Sequence, residues 1–181
     1  MSEVPSLSTI KVLHTLGPAG TNCELAATEW FRKRDMEPDV RLHPTLEAAV
    51  EAMPRDGQHA LMGCVVYPDL HEIVFGNREW LELVDCLIVP TDEMLLAQRT
   101  RSPISTLATH PAPHRLGPPD AERLFANSNV VAAEMCAKGD ASACITTRRA
   151  AEALDLEIVE NYGAVMMGFT VHSCRVGASS C

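Results

Sequence analysis

Between Lys11 and Pro54 the hydrophobic period switches repeatedly between strand-like and helix-like spacing, and that alternation restricts the chain to a few architectures. Lys11–Leu16 (KVLHTL) reads as a strand. After the turn Gly17-Pro18-Ala19-Gly20, the residues Cys23, Ala26, Ala27, Trp30, Phe31 and Arg34 recur at helical spacing and predict a helix with one apolar face. Val40 and Leu42 alternate with polar neighbours as in a second strand, and Leu46, Ala49, Val50 and Met53 return to the helical repeat until Pro54 ends it.

The rest of the chain continues this alternation. Ala60–Tyr67 (ALMGCVVY) is apolar throughout, as expected of a parallel strand covered on both faces. Leu81–Val89 and Met94–Arg99 read as strands joined by a Pro-Thr-Asp turn, and Ile104–Thr109 as another. Helical spacing reappears over Ser128–Lys138 and at Thr147, Ala150, Ala151 and Leu154, on either side of the apolar stretch Ala141–Ile145. Leu156–Glu160 and Val165–His172 are strand-like, while the proline-rich His110–Asp120 is a loop with at most one helical turn. The order of elements is that of an α/β protein.

At 181 residues the chain can bury one core or two small lobes. The formal net charge is -9, with 15 Lys and Arg against 24 Asp and Glu, and no basic run exceeds Arg32-Lys33-Arg34. A phosphate backbone finds no electrostatic footprint there, and at 4% aromatic content there are few platforms for stacked bases, so nucleic acid is excluded as a partner. The seven cysteines are scattered and lack C-x-x-C spacing, which reads as reduced thiols in the cytoplasm. The amino terminus MSEVPSLSTIK shows no signal-peptide pattern, and no apolar run is long enough for a membrane helix.

Thr21-x-x-Glu24 forms a capping box, in which the threonine oxygen takes the Glu24 amide and the glutamate reaches back to the Thr21 amide. The glycines before it let backbone approach a ligand, and the helix dipole favours an anion such as a carboxylate, although a plain strand-to-helix turn accounts for the pattern equally well. Asn127-Ser128-Asn129 and Thr146-Thr147 offer two more capped helix starts, for which plain capping is the simpler reading. His110 and His114 are four apart, but Pro111 and Pro113 disfavour the helix that would align them on a metal. No P-loop, G-x-S-x-G elbow or dinucleotide fingerprint is present, so neither metal nor cofactor is expected.

In order along the chain, Gly17-Pro18-Ala19-Gly20-Thr21, Gly63-Cys64-Val65-Val66, Thr109-His110-Pro111 and Asn127-Ser128-Asn129-Val130-Val131-Ala132-Ala133 resemble the motifs of the prephenate dehydratase family, from Lys11 to Ser173. The resemblance implies a two-lobed α/β fold of the prephenate dehydratase catalytic-domain, or type II periplasmic-binding-protein-like, kind with an interlobe cleft. The expected lobes are residues 1–80 with 161–181, and residues 81–160, forming a single catalytic domain without a regulatory amino-acid-binding (ACT) domain. It also implies prephenate as the small-molecule ligand, with Gly20, Thr21, Asn22, Thr109, Asn127, Ser128, Asn129, Gly168 and Phe169 as substrate-binding residues and His110 and Met167 at the chemistry.

Two departures from the family pattern stand out. Tyr67-Pro68-Asp69-Leu70 replaces the family's Pro-Ile-Glu-Asn-Ser, and Met167-Gly168-Phe169 stands where the family has Thr-Arg-Phe. In that family the threonine is thought to protonate the departing ring hydroxyl and the arginine to hold substrate; a thioether donates no proton and glycine has no side chain. The departure is similar to the non-aromatising prephenate decarboxylases of bacilysin-type antibiotic biosynthesis, which release carbon dioxide but keep the hydroxyl. The ring proton donor is open among His14, His110, Tyr67, Tyr162 and His172. Rival expectations are a dehydratase with a recruited acid and a non-catalytic carboxylate-binding protein. The sequence allows a homodimer and gives no sign of a membrane partner.

Overall fold

A computed structural model describes residues 7–174. Residues 1–6 of the amino-terminal stretch read for targeting, Cys181 and the end of the expected first lobe lie outside the described residues. Among the described residues, fifteen elements follow a short 3-10 turn at Leu7–Thr9. They are β1 (Val12–Leu16), α1 (Asn22–Arg32), β2 (Val40–His43), α2 (Leu46–Ala52), β3 (His59–Cys64), α3 (Leu70–Gly76), β4 (Leu81–Pro90), β5 (Met94–Gln98), β6 (Thr106–Thr109), β7 (Glu122–Phe125), α4 (Asn129–Lys138), β8 (Ala143–Thr147), α5 (Arg148–Ala153), β9 (Glu157–Gly163) and β10 (Met166–Cys174).

The chain forms two compact units. One holds the described residues up to Val89 together with those from Met167 onward, and the other holds Pro90–Met166. Both crossings fall later than the boundaries at 80/81 and 160/161 that the sequence suggested. Strand pairing explains the difference: β4 is an edge of the first sheet, while β9 pairs with β5 in the second.

In the first unit the strand order is β2-β1-β3-β10-β4. The strands β2, β1 and β3 run parallel, and β10 runs antiparallel to β3 with Phe169 opposite Cys64 and His172 opposite Leu61. Its core gathers Leu13, Trp30, Phe31, Leu46, Leu61, Met62, Phe169 and Val171, all closed to solvent or nearly so. The helical repeat read from sequence is the buried face of α1, where Cys23, Ala26, Ala27, Trp30 and Phe31 point inward. Arg34, just beyond the helix, stays on that face: its guanidinium lies 4.0 Å from the Trp30 ring and pairs with Asp85, which also accepts the Trp30 indole N–H at 2.8 Å. This knot ties α1 to the edge strand β4.

The second sheet has the order β7-β6-β8-β5-β9, with β6, β7 and β8 parallel and β5 antiparallel to both its neighbours. Alternation along β5 sends Leu95 and Ala97 to one face and Met94 and Leu96 to the other. On the first face α4 and α5 pack through Ala132, Ala133, Ala150 and Ala151, small side chains that allow close helix-to-sheet approach.

One expected strand is shortened, and two elements have no counterpart in the sequence reading. The strand expected over Ala60–Tyr67 ends at Cys64, where the Tyr67 amide turns back to the Cys64 carbonyl at 2.9 Å and leaves Val65 and Val66 exposed. The helix α3 was not anticipated, because its seven residues bury only Ile73 and show no repeat. Nor was β7, a four-residue edge strand with no fully buried residue.

The Trp30–Arg34–Asp85 knot makes a prediction. Replacing Asp85 by Ala leaves the indole N–H without its acceptor and the guanidinium with the Trp30 carbonyl but no carboxylate, and lowers unfolding free energy by about 1 to 3 kcal/mol. Urea denaturation of the two proteins measures this, and an unchanged midpoint would show that the knot is ornamental.

Candidate functional site

The residues singled out in the first unit lie at one end of its sheet, beyond the carboxyl ends of β1 and β3, where β10 enters antiparallel. This is the edge at which open α/β sheets bind ligands. The opening turn follows β1. Thr21 caps α1, accepting the Glu24 amide at 3.4 Å while its hydroxyl donates to the Leu16 carbonyl at 3.1 Å. The second half of the expected capping box differs: Glu24 Oε2 accepts the Gly20 amide at 2.6 Å, and the Thr21 amide is not its partner. Gly20 has φ +85°, a conformation that glycine adopts without a Cβ penalty and that presents its own N–H to the glutamate. The turn therefore already holds an anion, and a ligand carboxylate reaching Gly20 competes with Glu24. Asn22 is the first residue of the helix and half-buried.

At the start of β10 the alternation of a strand separates the two unusual residues. Met167 packs against the core on the side of Phe169, which is 1% exposed. Gly168 falls on the opposite face, its carbonyl accepting the Val65 amide at 3.1 Å, and a Cβ there would stand 3.2 Å from Val65 Cγ1. The next polar group on that face, Thr170, donates to the Gly63 carbonyl at 3.3 Å and sits 3.0 Å from His172 Nε2. The Thr170 hydrogen is thus directed to the backbone, and Thr170 accepts from His172.

In the second unit the singled-out residues likewise follow the carboxyl ends of parallel strands β6, β7 and β8. Thr109, fully buried, donates to the His110 carbonyl at 3.0 Å. His110 Nδ1 accepts the Ala112 amide at 3.2 Å, which leaves the ring proton of the neutral form on Nε2; burial holds its pKa below the usual histidine value. Of the three capping side chains before α4, Ser128 is the one that caps, accepting the Val131 amide at 3.1 Å. Asn127 is exposed. Asn129 opens the helix, its carbonyl accepts the Thr146 hydroxyl at 2.7 Å, and its buried Oδ1 has no partner. Thr147 caps α5 through the Ala150 amide at 3.3 Å.

The other proton-donor candidates are committed elsewhere. The Tyr67 hydroxyl donates to Glu47 at 2.7 Å and that of Tyr162 to Glu160 at 2.8 Å; burial and the adjacent carboxylate push each phenol up to about 12. His14 has both ring nitrogens against other histidines. His172 is 3% exposed, with Nδ1 unpartnered, and burial lowers it to about 4. Among the five candidates, His110 Nε2 is the ring N–H with no protein acceptor among the described residues.

No protein-family model matches this sequence, and no curated protein matches it. Solved structures do match its fold. Prephenate dehydratase from Arthrobacter aurescens, solved in complex with L-Phe, is 21% identical with a TM-score of 0.65, covering 92% of this chain and 61% of that one. The prephenate dehydratase of Staphylococcus aureus is 14% identical with a TM-score of 0.60, over 89% of this chain and 65% of its own. The Bordetella pertussis BvgS periplasmic VFT2 domain is 13% identical with a TM-score of 0.54, over 92% and 81%. The chain thus has the two-lobed α/β fold shared by prephenate dehydratases and periplasmic binding domains, and spans less than two thirds of the length of those two dehydratases. No described helix is long and apolar enough to cross a membrane.

Buried His172 generates a pH prediction. Its folded value is depressed, so below about pH 6.5 the unfolded chain takes up a proton that the folded chain refuses, and stability drains away until about pH 4. The loss amounts to roughly 3 kcal/mol at most for this group. Denaturation curves between those pH values should be shallower in pH for His172→Gln than for the parent; equal slopes would remove His172 from the acid response.

Proposed function

We propose that this protein removes carbon dioxide from prephenate without aromatising the ring, producing a dihydro-4-hydroxyphenylpyruvate for specialised metabolism such as bacilysin-type antibiotic biosynthesis. The reading is supported by the fold shared with prephenate dehydratases, and it rests on one feature of the sequence: by resemblance, Met167 and Gly168 stand where that family has its threonine and arginine.

The chemistry follows from where the electron pair goes. When the ring carboxylate leaves, the broken C–C bond gives its pair to the ring diene. Given a proton on the ring hydroxyl, that pair expels water and the ring becomes aromatic. Without that proton, the pair takes up a proton at ring carbon and the hydroxyl stays, so one carbon dioxide leaves, one proton enters and no water is lost. A positioned general acid is worth about 10²- to 10⁴-fold in rate, enough to decide between these outcomes. The Thr170 hydroxyl does not replace the missing acid, since it donates to the Gly63 carbonyl.

The remaining assignments belong to the same reading. Thr21, Asn22 and the amide of Gly20 bind a substrate carboxylate in exchange for Glu24, and Ser128, Asn129 and Asn127 at the start of α4 bind polar substrate groups with Thr109. His110, neutral and protonated on Nε2, donates a hydrogen bond or hands over the ring proton. Met167, Gly168 and Phe169 supply an apolar surface, which weakens solvation of the leaving carboxylate. The missing arginine also suits a protein that binds a carboxylate and does no chemistry.

Incubation with prephenate, following carbon dioxide together with the ultraviolet spectrum of the keto acid, separates these readings. Carbon dioxide without an aromatic product is the expected result; phenylpyruvate would indicate a dehydratase, and binding without turnover a sensor. Met167→Thr with Gly168→Arg should divert part of the product to phenylpyruvate, more so with Val65→Ala, because Val65 crowds a side chain at 168. Unchanged product ratios in folded, active variants would overturn the role given to this pair.

A further inference from the structure

Three histidines distant in sequence meet on one face of the first sheet. His14 lies in the middle of β1, His43 ends β2 and His59 begins β3; the parallel register sets Leu16 opposite His43 and Val12 opposite His59, so alternation puts all three on the His14 side. His14 Nδ1 is 3.0 Å from His43 Nε2, and His14 Nε2 is 2.9 Å from His59 Nδ1. The His14 and His43 rings stack at 5.1 Å, and His14 is only 5% exposed. The two contacts use opposite edges of the central ring, so the nitrogens form a row and do not converge on a single ion.

Counting protons defines what such a row tolerates. Each N–H···N bridge needs one hydrogen and one lone pair. His59 Nε2 faces Asp56 Oδ2 at 3.9 Å, which favours a hydrogen on that nitrogen. His59 Nδ1 then accepts from His14 Nε2, His14 Nδ1 accepts from His43 Nε2, and the lone pair left over is His43 Nδ1. A first added proton goes there and both bridges survive. A second must land on a bridging nitrogen, where it sets two hydrogens or two charges against each other.

The surrounding charges bear on the same row. From β2, Arg41 stands opposite His14 on this face and pairs with Asp39 at 2.9 Å; Asp56 lies beyond His59, and His172 lies on β10 two strands away on the same face. Of the helices packed on β1, α1 carries Glu24 and Glu29, engaged with Gly20 and Arg32, and α2 carries Glu47, engaged with Tyr67, and exposed Glu51. Burial first, then His43, His59 and Arg41, hold His14 down to about 4.

We propose that the His43–His14–His59 row is an acid-operated latch on the edge strand β2, which accepts one proton unchanged and on the second parts β2 from β1 and loosens the opening turn. The edge strand's hold on that turn is visible: the Gly17 amide donates to the His43 carbonyl at 2.7 Å, and the Leu13 amide to the Asp39 carbonyl at 2.9 Å.

The test uses the full chain with 15N-labelled histidine. Long-range proton–nitrogen spectra from about pH 8 to about pH 4.5 identify which nitrogen carries hydrogen at each step. Amide exchange at Leu13 and Gly17 is followed in parallel and corrected for the intrinsic pH dependence of exchange. The expected result is that His43 Nδ1 is protonated first with protection unchanged. Protection then falls by about tenfold per pH unit for each further proton taken up. His43→Gln keeps an N–H donor for His14 but lacks the spare lone pair of His43 Nδ1, so the first proton to enter the row lands on a bridging nitrogen and the fall should begin one proton earlier than in the parent. Three rings titrating independently, protection that ignores their titration, or an unaltered fall in His43→Gln would each overturn the latch; if that variant does not fold, the parent spectra and exchange decide.

Discussion

The first sheet is complete only when the chain returns to it. Its parallel strands β2, β1 and β3 leave the far edge of β3 open, and β10, reached after the entire second unit has been traced, fills that edge antiparallel and carries β4 on its other side. Phe169 and Val171 from this returning strand are among the most buried side chains of the core. Any residue at the mouth of β10 is consequently fixed by long-range pairing, and Met167 and Gly168 are placed there with the precision of a central strand, not of a loop.

That placement decides what the two positions can offer a neighbouring group. Alternation divides the pair: Met167 faces the side of Phe169, and Gly168 faces Val65. Neither position offers a proton, and the nearest hydroxyl along the strand is turned to a backbone carbonyl. A similar economy holds at the opening turn, where Glu24 already supplies the negative charge that the helix start attracts. In both units the residues of interest gather past the carboxyl ends of parallel strands, which follows from the βα connections on each sheet and needs no assumption about ligand identity.

Much of this architecture was legible in the sequence because it rests on local repeats. The buried face of α1, the cap at Thr21 and the strand at β5 come from local pattern, and so do the capped starts of α4 and α5, although only the structure picks Ser128 from Asn127-Ser128-Asn129 and Thr147 from Thr146-Thr147. What escaped lacks such a signal: α3 buries one residue, β7 buries none completely, and the end of β3 is set by a turn at Tyr67 within an unbroken apolar run. Among site residues, His110 was legible as part of a motif, but its tautomer depends on the Ala112 amide. The histidine row could not be read at all, since its partners are 29 and 45 residues from His14 and are joined only by the register of three strands.

The central claim is that the electrons released with carbon dioxide end in a carbon–hydrogen bond and not in an aromatic ring. Conversion of prephenate in deuterium oxide, followed by proton and carbon NMR of the keto acid, reads this directly. The account predicts a product with one deuterium on a saturated ring carbon and the ring carbon–oxygen bond intact. Aromatic signals from phenylpyruvate, with no deuterium at ring carbon, would contradict it.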